Sequence, residues 1–499
     1  QSWVNVSPEL TKNDPEKQKA GGSPSSLETS GQEAYNTIHR MVASTVEPGI
    51  LWTGSDDGLI FLSRDGGETW NNVGPDLPED SDVYELEASP HDAATAYFVV
   101  SRYRTANDFN PYVFRTTDFG ETWTDLSGNF PQDEITRTIR EDTVRKGLLF
   151  VGTETGVFYS LDDGASWARL NNNLPAVPVH DIEVKDEDLC IATFGRSFWI
   201  LDDISPLRQA TTETGTTAHL FEPRTHKRFG INWWALYGGG VGGGQKNYFV
   251  QNGRVGHTFI ELGIVNGERK RKFLDSGDAR PRGAIIYYNL PEGARDVSLA
   301  ILDAEGRTVS TYEGDAVSAN PGLNRMIWGM TYADVVRIPG KPPAGVAVEA
   351  RPGTYQAQLT VDGETQTRSF ELKMNPNEKW TQADADARFE LWWRLRDVFE
   401  RANTTIIAAM EAAEKAGEGS DVARRATEFS GKLVPMGANL SQIANEPPKL
   451  LSKLQTVNWM LFHSEGRPPQ SAYDVLDEME PMVDAEIAAW SDFIAKSGE

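Results

Sequence analysis

The chain has 499 residues, room for roughly three average domains of about 150 residues, though a repeat fold can absorb more in one unit. Apolar residues make up 39% and aromatics 10%, with 14 tryptophans, which excludes global disorder. A balance of 48 Lys and Arg against 73 Asp and Glu leaves a net charge of −25, which repels phosphate backbones and argues against a nucleic-acid partner.

Three segments in the first two hundred residues share one pattern. They are Ser63-Arg64-Asp65-Gly66-Gly67-Glu68-Thr69-Trp70, Thr116-Thr117-Asp118-Phe119-Gly120-Glu121-Thr122-Trp123 and Ser160-Leu161-Asp162-Asp163-Gly164-Ala165-Ser166-Trp167. All read Ser/Thr-x-Asp-x-Gly-x-Ser/Thr-Trp, at intervals of 53 and 44 residues. In such a turn the aspartate accepts backbone N–H groups, the glycine tolerates a positive φ, and the tryptophan fills space between sheets. Asp65, Asp118 and Asp162, with Trp70, Trp123 and Trp167, are therefore expected to be structural. Each turn follows an apolar strand such as Leu59–Leu62 or Val157–Tyr159 and precedes a Leu/Phe-Pro stop. Four short strands in every 40–50 residues predict propeller blades near 35–73, 83–126 and 135–170, with a shorter one near 179–203.

These turns resemble the Asp-boxes of sialidases, sortilin-type receptors and two-propeller xyloglucanases. The run Ile191-Ala192-Thr193-Phe194-Gly195-Arg196-Ser197-Phe198-Trp199-Ile200-Leu201-Asp202-Asp203-Ile204-Ser205-Pro206-Leu207 is similar to the propeller end of bacterial sortilin-like proteins, often labelled "glycosyl hydrolase, BNR repeat". The resemblance runs along the whole chain and speaks for fold more than for activity. Gln1-Ser2-Trp3, followed by Val4-Asn5-Val6, matches the end of a further turn and the strand after it. Residue 1 is Gln, with no signal peptide after it, so a processed or incomplete chain is expected. Roughly three and a half blades cannot close a ring of about four to eight, so upstream blades are expected from a longer record or from another polypeptide.

Residues 209–282 form a connecting region with a glycine-rich stretch, Gly238–Lys246, read as a surface loop. It is not a P-loop, because Gln245 precedes the lysine and Asn247 follows it. Trp233, Trp234, Tyr237, Tyr248 and Phe249 could make it a contact surface. Residues 283–376 alternate as about seven short strands of a β-sandwich. The Asn324-Arg325-x-x-Trp328 and Pro352-Gly353-x-Tyr355 elements resemble the Ig-like module of flagellar hook-capping proteins, which implies a spacer or docking role. From Trp380 the period becomes helical, with Thr381 or Asp384 as cap and segments to about 416, then 421–445, 448–463 and 471–496, a helical bundle over 377–499. The fold class is mainly β: a partial Asp-box propeller over 1–208, an Ig-like sandwich, and C-terminal helices.

Alternating strand direction puts the second-to-third loops opposite the eight-residue turns. In the propeller hydrolases that the chain resembles, that opposite face carries the active site. Here it holds Asp56, Asp57, Arg102, Tyr103, Arg104, Asn107, Asp108, Glu154 and Arg196. Glycoside hydrolysis needs two carboxylates, so Asp56 or Asp57 with Glu154 is the candidate catalytic pair; the alternative is that they are ordinary turn formers. Arg102, Tyr103, Arg104 and Arg196 are candidate ligand-binding residues. A sialidase-type arginine cluster would draw on these with Arg40, Arg137 and Arg140. Polar residues of the strands 83–87, 137–140 and 180–184 either line a hydrated channel or face loops.

The seven histidines lack metal-site spacing, no multi-cysteine centre is open to the lone Cys190, and no EF-hand is present. No cofactor is expected; calcium on an acidic loop is the one exception left open. No run approaches about 18 apolar residues, so no membrane-spanning helix is expected. The expectation is a secreted, periplasmic or extracellular protein that binds a peptide or glycan through its propeller face. The alternatives are a glycoside hydrolase acting on polysaccharide, and a structural subunit alongside another envelope protein.

Overall fold

The structure, a computed structural model, describes residues 5–15, 35–170, 172–211, 214–228, 246–251, 254–265, 268–274, 283–341, 346–376, 379–435, 447–463 and 466–497. Gln1–Val4, the stretch 229–245 that holds most of the glycine-rich loop with Trp233, Trp234 and Tyr237, and residues 436–446 lie outside them. The chain divides into two compact units, Gln1–Glu213 and Thr214–Glu499.

The first unit is four successive antiparallel meanders. Sheet one comprises β1 (Ile38–Ala43), β2 (Leu51–Ser55), β3 (Ile60–Ser63) and β4 (Asn71–Asn72). Sheet two comprises β5 (Asp82–Ala88), β6 (Ala96–Ser101), β7 (Val113–Thr116) and β8 (Thr124–Asp125). Sheet three comprises β9 (Thr136–Glu141), β10 (Leu149–Thr153), β11 (Val157–Ser160) and β12 (Ala168–Arg169). Sheet four has three strands, β13 (Val179–Lys185), β14 (Asp188–Thr193) and β15 (Phe198–Leu201). The first strands adjoin in order, β1 to β5 to β9 to β13. Alternation sends one set of side chains to the preceding sheet and the other to the following one. Three apolar layers result: Trp52, Ile60, Val83 and Leu86 between sheets one and two; Tyr97, Val113, Ile139 and Val151 between two and three; Phe150, Val157, Val179 and Ile182 between three and four.

Each eight-residue turn joins the third and fourth strands and closes on itself. Asp65 accepts from the Thr69 N–H at 2.9 Å, the Thr69 hydroxyl at 2.6 Å and the Ser63 hydroxyl at 2.8 Å, and Asp118 and Asp162 repeat these bonds. Those hydrogen bonds favour the carboxylate, so the Thr69 contacts first, then Ser63, hold Asp65 at a pKa of about 2. The tryptophans reach backward along the chain. Trp123 Nε1 donates to the Val73 carbonyl at 2.7 Å, Trp167 Nε1 to Leu126 at 2.9 Å, and Trp70 Nε1 to Val6 at 3.2 Å. Two of the turns are thereby pinned to the chain just beyond the outer strands β4 and β8, and the first to the segment around Val6.

In the second unit, β16 (His219–Leu220), β21 (Ala284–Leu290) and β24 (Gly322–Trp328) form one sheet. A five-stranded sheet has the order β17 (His226–Lys227), β26 (Glu364–Lys373), β25 (Gly353–Val361), β22 (Val297–Asp303) and β23 (Thr308–Glu313), with β17 parallel to β26. The segments β18 (Lys246–Gln251), β19 (Arg254–Val265) and β20 (Glu268–Phe273) make a separate three-stranded sheet, so Tyr248 and Phe249 lie in β18. Two short strands from residues 219–227 thus join the sheets of residues 283–376.

Four helices follow: α1 (Gln382–Ala416), α2 (Asp421–Leu433), α3 (Leu450–His463) and α4 (Gln470–Ser497). Thr381 caps α1 in a reciprocal capping box with Asp384. The described part of the stretch expected to continue as helix to about 445 ends at Leu433, and residues 436–446 fall outside those described. Apolar burial is continuous from Trp328 and Tyr355 through Tyr332 to Phe389 and Trp392. Buried Arg388 crosses this layer, donating to the Leu461 carbonyl and to Glu349. Glu349 also pairs with Arg228, so one carboxylate bridges two guanidinium groups within the fold.

Candidate functional site

All four first strands of the first unit carry a β-bulge at the same place. Ile38 pairs with Ser55 and Arg40 with Gly54, leaving His39 as the extra residue. The same slip leaves Tyr84 in β5, Arg137 in β9 and His180 in β13. A bulge bends its strand and re-aims one side chain, and here it does so once per sheet.

Three of these side chains meet at one end of the inner strands. Arg137 is buried; its Nη1 lies 3.3 Å from the Tyr84 hydroxyl, and its guanidinium stands over the rings of Tyr84 and Tyr103 at 5.5 and 5.3 Å. His180 meets Tyr84 edge to face at 6.2 Å and stacks on exposed Phe194 at 5.2 Å. Burial, then the charge of Arg137, lowers the His180 pKa, so its imidazole is neutral near pH 7.

The loops between second and third strands complete the cluster. Glu154 Oε2 lies 2.6 Å from Arg137 Nε and 2.5 Å from Nη2, a charge-assisted clamp. A helical turn at Tyr103–Ala106 brings Arg104 Nε to within 2.7 Å of the Tyr103 hydroxyl. Burial opposes ionisation of Tyr103, yet hydrogen bonds and charge from Arg104 and Arg137 prevail and hold its phenol below the usual value. The result is an arginine–glutamate pair against the rings of Tyr84 and Tyr103, extended by His180 on Tyr84 and Phe194 on His180, suited to stacking and hydrogen bonding more than to proton transfer.

Deeper along the inner strands, Arg140 Nη2 is 2.7 Å from Asp181 and its Nη1 3.6 Å from both Glu85 and Glu87, while Arg40 Nε is 3.0 Å from Glu85. Burial, reinforced by Glu85, Glu141 and Glu183 against the pull of Arg140, pushes Glu87 up to about 8. Among the described residues no group of three or more His, Cys, Asp or Glu side chains converges to hold a metal ion. No helix among them is long and apolar enough to cross a membrane.

The expected site residues separate into two groups. Glu154, Tyr103 and Arg104 belong to the cluster. Asp57 is fully buried, with its oxygens accepting from the Ser55 hydroxyl at 2.5 Å and the Lys12 N–H at 2.6 Å. Asp56 accepts from the Thr37 N–H at 2.8 Å and returns its own N–H to the Thr37 carbonyl. Burial, partly offset by that Thr37 bond, raises its pKa. Arg102 Nη1 is 2.5 Å from Asp108, and its Nη2 donates to the Glu79 carbonyl. Arg196 is exposed in the β14–β15 turn, its carbonyl accepting from Trp199. Tyr84, Arg137 and His180 are central here, although sequence placed them among strand residues that line a channel or face loops, with Arg137 also named for a sialidase-type arginine cluster. The signal was present as Ile-His-Arg-Met, Val-Tyr-Glu-Leu, Thr-Arg-Thr-Ile and Val-His-Asp-Ile, a shared four-residue pattern whose second position is the bulge.

No protein-family profile matches the chain. A stretch of 147 residues is 27% identical to a xyloglucanase of Paenibacillus sp, covering 25% of this chain and 14% of that enzyme. The chain thus spans about one seventh of that relative's length. Among solved structures, the GH74 xyloglucanase from Xanthomonas campestris is similar at 14% identity, with a TM-score of 0.27 over 70% of this chain and 47% of that one. YCF48 bound to D1 peptide is similar at 15% identity, with a TM-score of 0.26 over 52% and 77%. At these levels the likenesses do not assign the chain to a family.

Proposed function

We propose that the first unit is part of an Asp-box β-propeller whose bulge-built face binds a glycan or peptide. The observation that carries this reading is the Arg137–Glu154 pair set against Tyr84 and Tyr103, with His180 packed on Tyr84 and Phe194 on His180. Aromatic faces beside a few fixed polar groups make a recognition surface, and the pair offers hydrogen bonds with its net charge cancelled. Of the three candidate catalytic carboxylates, Glu154 alone is in the cluster, while Asp56 and Asp57 tie down backbone. That division favours binding over hydrolysis. The stretch similar to a xyloglucanase supports a glucan as the first ligand class to test. The second unit is read as an Ig-like spacer over 283–376 with a helical bundle over 377–499, and the site of action as periplasmic or extracellular.

Titration calorimetry with xyloglucan oligosaccharides and a peptide panel tests the reading. Tyr84→Ala and Tyr103→Ala are each expected to weaken binding by roughly tenfold or more, as for central aromatic anchors. Asp56→Asn should leave it unchanged. Glycan turnover that disappears in Glu154→Gln would establish the rival hydrolase, and absence of binding to both classes would remove the proposal.

A further inference from the structure

A cleft of about 300 Å³ opens within the second unit where three of its segments meet. The first is the β22–β23 turn. Its Asp303 is 4% exposed and accepts from the Glu305 N–H, the Arg307 N–H and Arg307 Nε, which fixes the turn and leaves Glu305 exposed at the cleft. The second is the entry to β25, around Arg351. The third is the start of α1, where the Thr381–Asp384 capping box sets the first turn and Gln382 and Asp386, four residues apart, share one helix face. Gln382 Nε2 ties helix to strand by donating to the Pro352 carbonyl at 3.1 Å. Buried Tyr332 and Tyr355 complete the lining; the Tyr355 hydroxyl donates to the Arg351 carbonyl at 2.8 Å, and that of Tyr332 stands 3.5 Å from Asp303.

The fold does not consume the hydrogen-bonding capacity of this cleft. Asp386 uses Oδ1 twice, toward Arg351 Nη1 at 3.2 Å and Gln382 Nε2 at 3.1 Å. Among the described residues its Oδ2 has no hydrogen-bond partner, and neither has Gln382 Oε1. Glu305 Oε1 and Arg351 Nη2 stand 4.0 Å apart, too far for a hydrogen bond, so each keeps capacity for a third group. Acceptors and a donor therefore lie side by side on charges of opposite sign. An anionic ligand would meet the carboxylates of Asp303, Glu305 and Asp386. An ammonium would meet the Arg351 guanidinium and leave its N–H groups unmatched. A hydroxyl both donates and accepts, so a neutral ring bearing several hydroxyls answers every one of these groups. The volume of about 300 Å³ lies at the low end of the roughly 300–1,000 Å³ of small-molecule sites, which suits a single such ring.

We propose that this cleft binds one neutral sugar ring. Asp386 and Glu305 accept from its hydroxyls, and Arg351 donates to an oxygen beside them. The unit read above as a spacer thereby carries a carbohydrate site of its own. The cleft shares no residue with the Arg137–Glu154 cluster of the first unit, so the inference goes beyond the proposed function and stands or falls separately from it.

Saturation-transfer NMR tests it on the full chain carrying Tyr84→Ala and Tyr103→Ala, which silences the first-unit cluster. The probes are glucose, xylose, galactose and mannose, with glucuronate and glucosamine as anionic and cationic counterparts. At least one neutral sugar is expected to bind, and both charged counterparts about tenfold more weakly. In the same background, Asp386→Ala is expected to weaken that binding about tenfold, and Glu305→Ala about threefold, through loss of a charged acceptor. Glu305 is exposed on its turn, so Glu305→Ala is expected to leave circular dichroism unchanged. Absence of binding by all four neutral sugars would overturn the proposal, as would preference for glucuronate or glucosamine. Binding that survives both Asp386→Ala and Glu305→Ala would place the sugar elsewhere and overturn it too. Sugar binding seen only with Tyr84 and Tyr103 intact would uphold the first-unit reading and remove this one.

Discussion

Asp65 shows how much one side chain organises in the repeated turn. Its two oxygens accept three hydrogen bonds from Ser63 and Thr69, all of which favour the ionised form. Its pKa falls from 3.8 to about 2, so the folded state binds this proton less readily than the unfolded chain. The stabilisation is therefore present above about pH 4 and is lost as pH falls toward 2. Asp65→Asn is expected to lower the melting temperature at pH 7, and the gap from the wild type should narrow as pH drops through that window. A pH-independent gap in thermal melts would show that the carboxylate charge is not what closes the turn. The roles of Asp65, Asp118 and Asp162 are legible in sequence because every partner lies within four residues. Tyr84 and Arg137 were not legible in the same way, since their partners lie 17 residues or more away along the chain.

Between elements, close approach is set by residues with no side chain to spare. A Cβ on Gly54 would lie 2.5 Å from Val83 Cγ1, and one on Gly152 would lie 2.6 Å from Thr138 Cγ2 and 2.7 Å from Val179 Cγ1. Valine of the next sheet fills the hollow each glycine leaves. Gly152→Ala is expected to destabilise the first unit by about 1–3 kcal/mol through overpacking, measurable by chemical denaturation. An unchanged midpoint would mean that sheets three and four can slide apart without cost. The bulges act at this same level. Without the slip at Tyr84, Arg137 and His180, period-two alternation would send these side chains to the opposite faces of their strands, and the aromatic cluster would not form.

Within the whole molecule, the second unit joins a sheet core and a helical core into one apolar layer around Trp328, Tyr332 and Trp392. Trp328 is fully buried and its Nε1 donates to the Thr331 carbonyl at 2.9 Å. Trp328→Ala is expected to cost about 3–5 kcal/mol and to lower the calorimetric transition of Thr214–Glu499 by several degrees. A transition left in place would show that the layer tolerates the cavity. The sequence by itself determined the repeated turns, the four strand clusters of the first unit, the alternating strands that follow and the capped helix from Thr381. Those depend on local hydrogen bonding and on the period of apolar residues, both written along the chain. Tertiary structure alone decided that Glu154 belongs with Arg137 while Asp57 is consumed by the Lys12 backbone, and that β16 and β17 enter sheets formed much later. Pairing partners and burial depend on which distant segments meet, and that is a property of the packed chain.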